Sequence, residues 1–161
     1  MTDTSVSLLT HSANETTELA ASIASCCKPG DCVLLSGDLG AGKTAFARGF
    51  IESLCPGVQV TSPTFTLVQT YDTSTCAIWH FDLYRLDKAD DIYETGIEDA
   101  LRDGISLIEW PEIIRHLHPL DALNIKIVYG NNENERLVSI SSPSARWQPL
   151  FEVLEKHVSI T

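Results

Sequence analysis

Positive charge is scarce in this sequence. Of 161 residues, 11 are Lys or Arg against 22 Asp or Glu, giving a formal net charge of −11 and an isoelectric point near 4.7. Long nucleic acids are held mainly by clustered basic residues that displace counterions from the phosphates, so direct binding of such a polymer is excluded as a main activity. Long apolar runs are also missing. No stretch approaches the ~18 uninterrupted apolar residues of a membrane span, and Met1-Thr2-Asp3-Thr4 lacks the basic start of a secretory leader. The five cysteines (Cys26, Cys27, Cys32, Cys55, Cys76) are odd in number and contain no C-x-x-C pair. Adjacent Cys26 and Cys27 are poorly spaced for zinc and strained for a mutual disulfide. They read as reduced, mostly buried small hydrophobes of a cytoplasmic protein with no membrane partner. No internal repeat or low-complexity stretch occurs.

What is present is an ordinary globular composition, 43% hydrophobic with 9 Gly and 7 Pro. The length suits a single domain over residues 1–161, burying roughly two-thirds of its unfolded surface. Residues 5–10 read as a strand. Ser12-Ala13-Asn14-Glu15 forms a capping box opening a helix that Pro29-Gly30 ends. Cys32-Val33-Leu34-Leu35 is a continuous apolar run of strand length, the mark of a strand covered on both faces. Residues 45–54 are helical, with Phe46, Phe50, Ile51 and Leu54 on one side. Residues 66–71 and 76–81 are β-prone and joined by Asp72-Thr73-Ser74-Thr75, a hairpin signal. Residues 87–103 are acidic and helical in pattern, 105–108 form another buried strand, and 122–129 with 136–140 form a second hairpin. A final helix aligns Trp147, Leu150, Phe151, Leu154 and Val158, with Pro149 in its first turn. Together these elements give an α/β fold, a mixed β-sheet flanked by helices.

Gly37-Asp38-Leu39-Gly40-Ala41-Gly42-Lys43-Thr44 matches G-x-x-x-x-G-K-[ST] and lies between a buried strand and a helix. Glycines let backbone N–H groups turn inward around phosphate oxygens, and the following helix directs its positive end to the same place. Lys43 then reaches the β- and γ-phosphates, and the Thr44 hydroxyl takes one position on Mg²⁺. The sequence therefore predicts a P-loop NTPase-like domain.

Ligands of open α/β sheets sit at the carboxyl ends of the strands, so acidic partners of the metal should end strands there. Asp82 and Glu109 do. One would hold Mg²⁺, directly or through water, and the other would orient an attacking water. Thr64, in Ser62-Pro63-Thr64-Phe65, lies where switch loops lie in small NTPases. Trp110 reads equally as core packing or as a wall of the nucleotide site. Arg85 reads as a stabiliser of transition-state charge or as a partner of the acidic helix.

A small-molecule kinase on the same fold would need an Arg-bearing lid, but the six arginines are scattered. A GTP switch would need an N-K-x-D or T-K-x-D tetrapeptide, and none occurs.

Four linked motifs carry a more specific resemblance: the octapeptide at 37–44, Ser-Pro-Thr-Phe-Thr-Leu at 62–67, His-Phe-Asp-Leu-Tyr-Arg-Leu at 80–86 and Glu-Trp-Pro at 109–111. In order and spacing over nearly the whole chain, they resemble the TsaE (YjeE) family, the bacterial ATPases of tRNA threonylcarbamoyladenosine biosynthesis. The resemblance implies that residues 37–45 (Gly37, Asp38, Leu39, Gly40, Ala41, Gly42, Lys43, Thr44, Ala45) bind ATP. It implies Thr44 and Glu109 as Mg²⁺ partners, Thr64 as the switch threonine, Asp82 as an active-site acid and Trp110 close to the nucleotide. Ser12, Thr16 and Arg136 would be peripheral nucleotide contacts. Hydrolysis, slow alone, would support turnover of a complex of the TsaD and TsaB proteins that modifies the adenosine beside the anticodon. Contact with tRNA would be indirect. The surplus of negative charge at 82–103, eight Asp or Glu against three Lys or Arg, reads equally as a solvated helix face or as a docking site for a basic partner surface.

Overall fold

The apolar run at 32–35 becomes the middle of a seven-stranded sheet in the computed structural model, which describes residues 3–158, with side chains through Lys156. In chain order the elements are β1 (Thr4–Thr10), α1 (Ala13–Ala24), β2 (Cys32–Ser36), α2 (Lys43–Leu54), β3 (Val68–Asp72), β4 (Ala77–Asp82), α3 (Ile97–Asp103), β5 (Ile105–Glu109), β6 (Leu123–Tyr129), β7 (Arg136–Ser142) and α4 (Gln148–Val158). Short 3₁₀ segments span Ala89–Thr95, Pro111–Leu117 and Ala145–Trp147. The strand order is β1-β7-β6-β2-β5-β4-β3. The four central strands β6, β2, β5 and β4 run parallel, while β3 and β7 are antiparallel to their neighbours. All four parallel strands therefore end on one rim.

Alternation along β2 explains its unbroken hydrophobicity. Val33 and Leu35 enter a core with α1, α2 and α4, built around Ile23, Phe46, Phe50, Trp147 and Phe151. Cys32 and Leu34 face the other way, against Phe81, Leu83, Ile92, Ile97 and Ile114. Each fully buried large side chain contributes roughly 1.5–3 kcal/mol relative to exposure. The Ser12 half of the capping box forms, with Glu15 N donating to Ser12 Oγ at 3.1 Å, while the Glu15 carboxylate reaches one residue further back and accepts from His11 N at 2.6 Å. Pro149 is the second residue of α4, where no helical N–H bond is lost. The side chain of Val158, last on the predicted stripe, lies outside the described residues.

Two boundaries differ from the sequence reading. The first hairpin is shifted: Asp72 stays in β3 opposite Ala77, and Cys76 joins the turn, where its N–H and C=O both bond to the Thr73 hydroxyl. The acidic stretch after residue 87 is two short helices rather than one, broken at Gly96 with φ 92°. A Cβ there would stand 2.9 Å from Trp79 Cζ3, so β4 dictates the break. Among the described residues no helix is long and apolar enough to cross a membrane.

Candidate functional site

The glycine-rich loop leaves the end of β2 and turns into α2 with Gly37, Gly40 and Gly42 at φ 146°, 78° and 109°, values that L side chains rarely adopt. At Gly37 a Cβ would lie 2.3 Å from Ile127 O on neighbouring β6. The loop is held from the β6–β7 hairpin as well: Arg136 Nε donates to Ala41 O at 2.9 Å and Tyr129 Oη to Leu39 O at 3.4 Å. Gly42 supplies no side-chain cap to α2, so the first amides of the helix face the hollow of the loop without a side-chain partner. Asp38 and Leu39 are exposed on the turn, and Thr44 is exposed in the first helical turn.

Lys43 is buried, with 5% of its surface exposed. Its Nζ donates to Gly37 O at 2.5 Å and sits 3.5 Å from the centroid of the Trp110 ring. Burial lowers its pKa from the usual value, and the charges of Glu109, Asp82, Glu112 and Asp38 partly offset that.

Asp82 and Glu109 end adjacent parallel strands and pair in register. Asp82 is doubly engaged, with Thr64 Oγ1 donating to Oδ2 at 3.0 Å and Tyr84 N to Oδ1 at 3.1 Å. Glu109 Oε2 meets His80 Nε2 at 2.7 Å, both side chains buried, and no hydrogen bond among the described residues reaches Oε1. The segment before β3 is fastened to the same rim: Leu67 N donates to Pro63 O at 2.7 Å and Asp82 N to Leu67 O at 3.0 Å. Leu67 and Trp110 are the non-glycine residues with positive φ, 68° and 58°. Bulky residues hold that conformation at a cost of roughly 1–3 kcal/mol, so both ends of the acidic pair are flanked by strain.

Lys43, Gly37, Thr64, Asp82, Glu109 and Trp110 thus lie together at the rim where the parallel strands end. Trp110 takes the core-packing reading, and the same ring borders Lys43. Its ring packs on the second core cluster and lies against Lys43 and Tyr84, the latter at 5.1 Å between centroids. Arg85 enters no ion pair among the described residues; its guanidinium lies 4.7 Å above the ring of Phe65, which is 82% exposed. Ser12, Thr16 and Arg136 form a separate group. Ser12 caps α1, and Thr16 is buried with its hydroxyl shared between Thr10 Oγ1 and Ser12 O, while Thr10 bonds to Arg136 O. Their link to the loop runs through the Arg136 bond to Ala41. Sequence reasoning missed His80. The signal was available, a histidine two residues before Asp82 on the same face of an otherwise apolar strand.

The family described as "Threonylcarbamoyl adenosine biosynthesis protein TsaE" matches residues 10–138, which hold every residue of this rim. The chain belongs to the TsaE family. Its role lies in tRNA threonylcarbamoyladenosine biosynthesis. The TsaE protein of Rickettsia felis is 48% identical over 141 residues, 86% of this chain and 81% of that one. That of Bacillus subtilis is 34% identical over 148 residues, covering 91% and 92%. The crystal structure of Bacillus subtilis YdiB superposes with a TM-score of 0.76 at 30% identity, over 98% of both chains. The superposition on YdiB takes in the mixed sheet together with its covering helices.

Proposed function

We propose that residues 1–161 act as one P-loop ATPase domain that binds Mg·ATP at residues 37–45 and hydrolyses it in the cytoplasm. Hydrolysis supports turnover of a TsaB–TsaD complex that modifies tRNA at the adenosine next to the anticodon. The observation that carries this reading is the positive-φ glycine loop set between a buried parallel strand and an uncapped helix, with Lys43 and two carboxylates on the same rim.

The donor set fits Mg²⁺. Among the described residues no three His, Cys, Asp or Glu side chains gather to hold a metal unaided. That suits an ion bound through one or two protein oxygens together with substrate phosphates. Thr44 and Glu109 would supply those oxygens. An ion held there would supply positive charge against the phosphate oxygens. Lys43 brings its ammonium to the β- and γ-phosphates by exchanging its bond to Gly37 O for phosphate oxygens. Asp82 acts through Thr64, whose hydroxyl it holds beside the site. The loop amides and the end of α2 meet the remaining phosphate charge, so a local site accepts a polyanion in a chain of net charge −11. That global charge leaves tRNA contact to the partner proteins.

Reconstituted tRNA modification with TsaB, TsaD and ATP tests the reading. With this chain present each complex is expected to complete many cycles; without it, about one. Equal yields over many cycles in its absence, or the absence of ATP consumption in its presence, would contradict the proposal.

A further inference from the structure

His80 is 3% exposed in the interior of β4, where an aliphatic residue would pack without a polar cost. Its Nδ1 is buried with no hydrogen-bond partner. An N–H left unpaired in the interior is rarer than an unpaired acceptor, which puts the ring proton on Nε2, the atom that meets Glu109 Oε2 at 2.7 Å. Strand alternation places His80 on the face of β4 that also carries Asp82, and the parallel register sets Asp82 beside Glu109. The ring therefore has one polar outlet, and it grips one oxygen of a carboxylate whose other oxygen, Oε1, accepts no hydrogen bond among the described residues. Of the acids around Lys43, Glu109 exerts the largest electrostatic pull on it.

Resting on the reading of the site as a Mg·ATP site, we propose that His80 is a positioning residue: it fixes Glu109 through Oε2 so that Oε1 is held ready for the metal. Such supporting hydrogen bonds set the orientation of a carboxylate ligand, and their loss typically costs 10- to 100-fold in metal affinity or activity.

The test uses the full chain and two readouts. One is the Mg²⁺ concentration giving half-maximal Trp110 fluorescence change at saturating ATP. The other is kcat and KM for ATP with TsaB and TsaD present. His80→Leu is expected to raise the Mg²⁺ half-saturation point and lower kcat, each by roughly 10- to 100-fold, with KM for ATP within about threefold. His80→Gln, whose amide nitrogen reaches the place of Nε2, recovers most of both. His80→Asn, which mimics Nδ1 instead, does not. If His80→Leu fails to fold, the comparison of Gln with Asn decides: equal Mg²⁺ half-saturation in the two overturns the positioning role. Wild-type behaviour in a folded His80→Leu overturns it too while leaving the ATPase reading intact. A wild-type chain without any Mg·ATP signal removes both.

Discussion

Lys43 Nζ rests 3.5 Å from the centroid of the Trp110 ring while donating to Gly37 O. A desolvated cation over an indole face is worth up to about 2 kcal/mol, so drawing the lysine towards phosphate changes the surroundings of the indole. Adding Mg·ATP is therefore expected to change tryptophan fluorescence. Trp110→Phe should abolish most of that change even though Trp79 and Trp147 remain. Lys43→Ala should weaken ATP binding at least tenfold, measured by equilibrium dialysis. Near-normal affinity in that variant would contradict the assigned site.

The same lysine makes stability depend on pH. Burial holds its pKa below the ordinary 10.5, with Glu109 and Asp82 offsetting part of the shift. The unfolded chain thus binds this proton more tightly than the folded one, and the penalty is fully present at neutral pH. It fades as pH rises through the lowered value towards 10.5. Lys43→Met is expected to be more stable than wild type at pH 7, with a margin that narrows in that window. Urea unfolding of both proteins across the range measures it; a margin constant with pH would show that the burial cost has another source.

Thr64 reaches Asp82 at 3.0 Å across eighteen positions of chain. Thr64→Val keeps the shape but leaves a buried carboxylate oxygen without its donor. A fall in kcat of about tenfold or more, the size of one positioned transition-state hydrogen bond, is expected with ATP affinity little changed. Thr64→Ser should restore most of the rate. Steady-state kinetics with the partner proteins present separates the two parameters.

Gly37 has no room for a side chain, since a Cβ at its φ of 146° would fall 2.3 Å from Ile127 O. Gly37→Ala must move the loop or β6, and a loss of roughly 2 kcal/mol or more is expected. Chemical denaturation checks the loss, and nucleotide affinity should fall with it. An unchanged midpoint would show that the loop can give way at that point.

Much of this arrangement was legible in the sequence because its causes are local. The apolar run of β2, the Ser12–Glu15 capping box and the glycine spacing at 37–44 each specify their own backbone. Asp82 and Glu109 were readable as strand-end acids because buried parallel strands announce themselves by continuous hydrophobicity. What escaped depends on register between distant segments. His80 acquires a role only when β4 lies against β5 with Asp82 opposite Glu109. Gly96 breaks the acidic helix because the Trp79 ring passes beside it. Thr16 carries a hydroxyl that the resemblance places near nucleotide, yet the packing of α1 on β1 commits it to Thr10. Such pairings follow from tertiary geometry that no window of sequence contains.

The loop at 37–42 is fastened by residues made much later: Ile127 walls Gly37, Tyr129 holds Leu39 and Arg136 holds Ala41. One bank of the site is thus built in before any ligand arrives, and adjustment falls to the other bank, where Lys43 is held by one hydrogen bond, to Gly37 O, and Thr64 by its hydroxyl contacts to Ser62 and Asp82. There is also an order in time. Synthesis proceeds from the N-terminus, so the nascent chain carries its glycine-rich motif without its full set of anchors until Arg136 has left the ribosome.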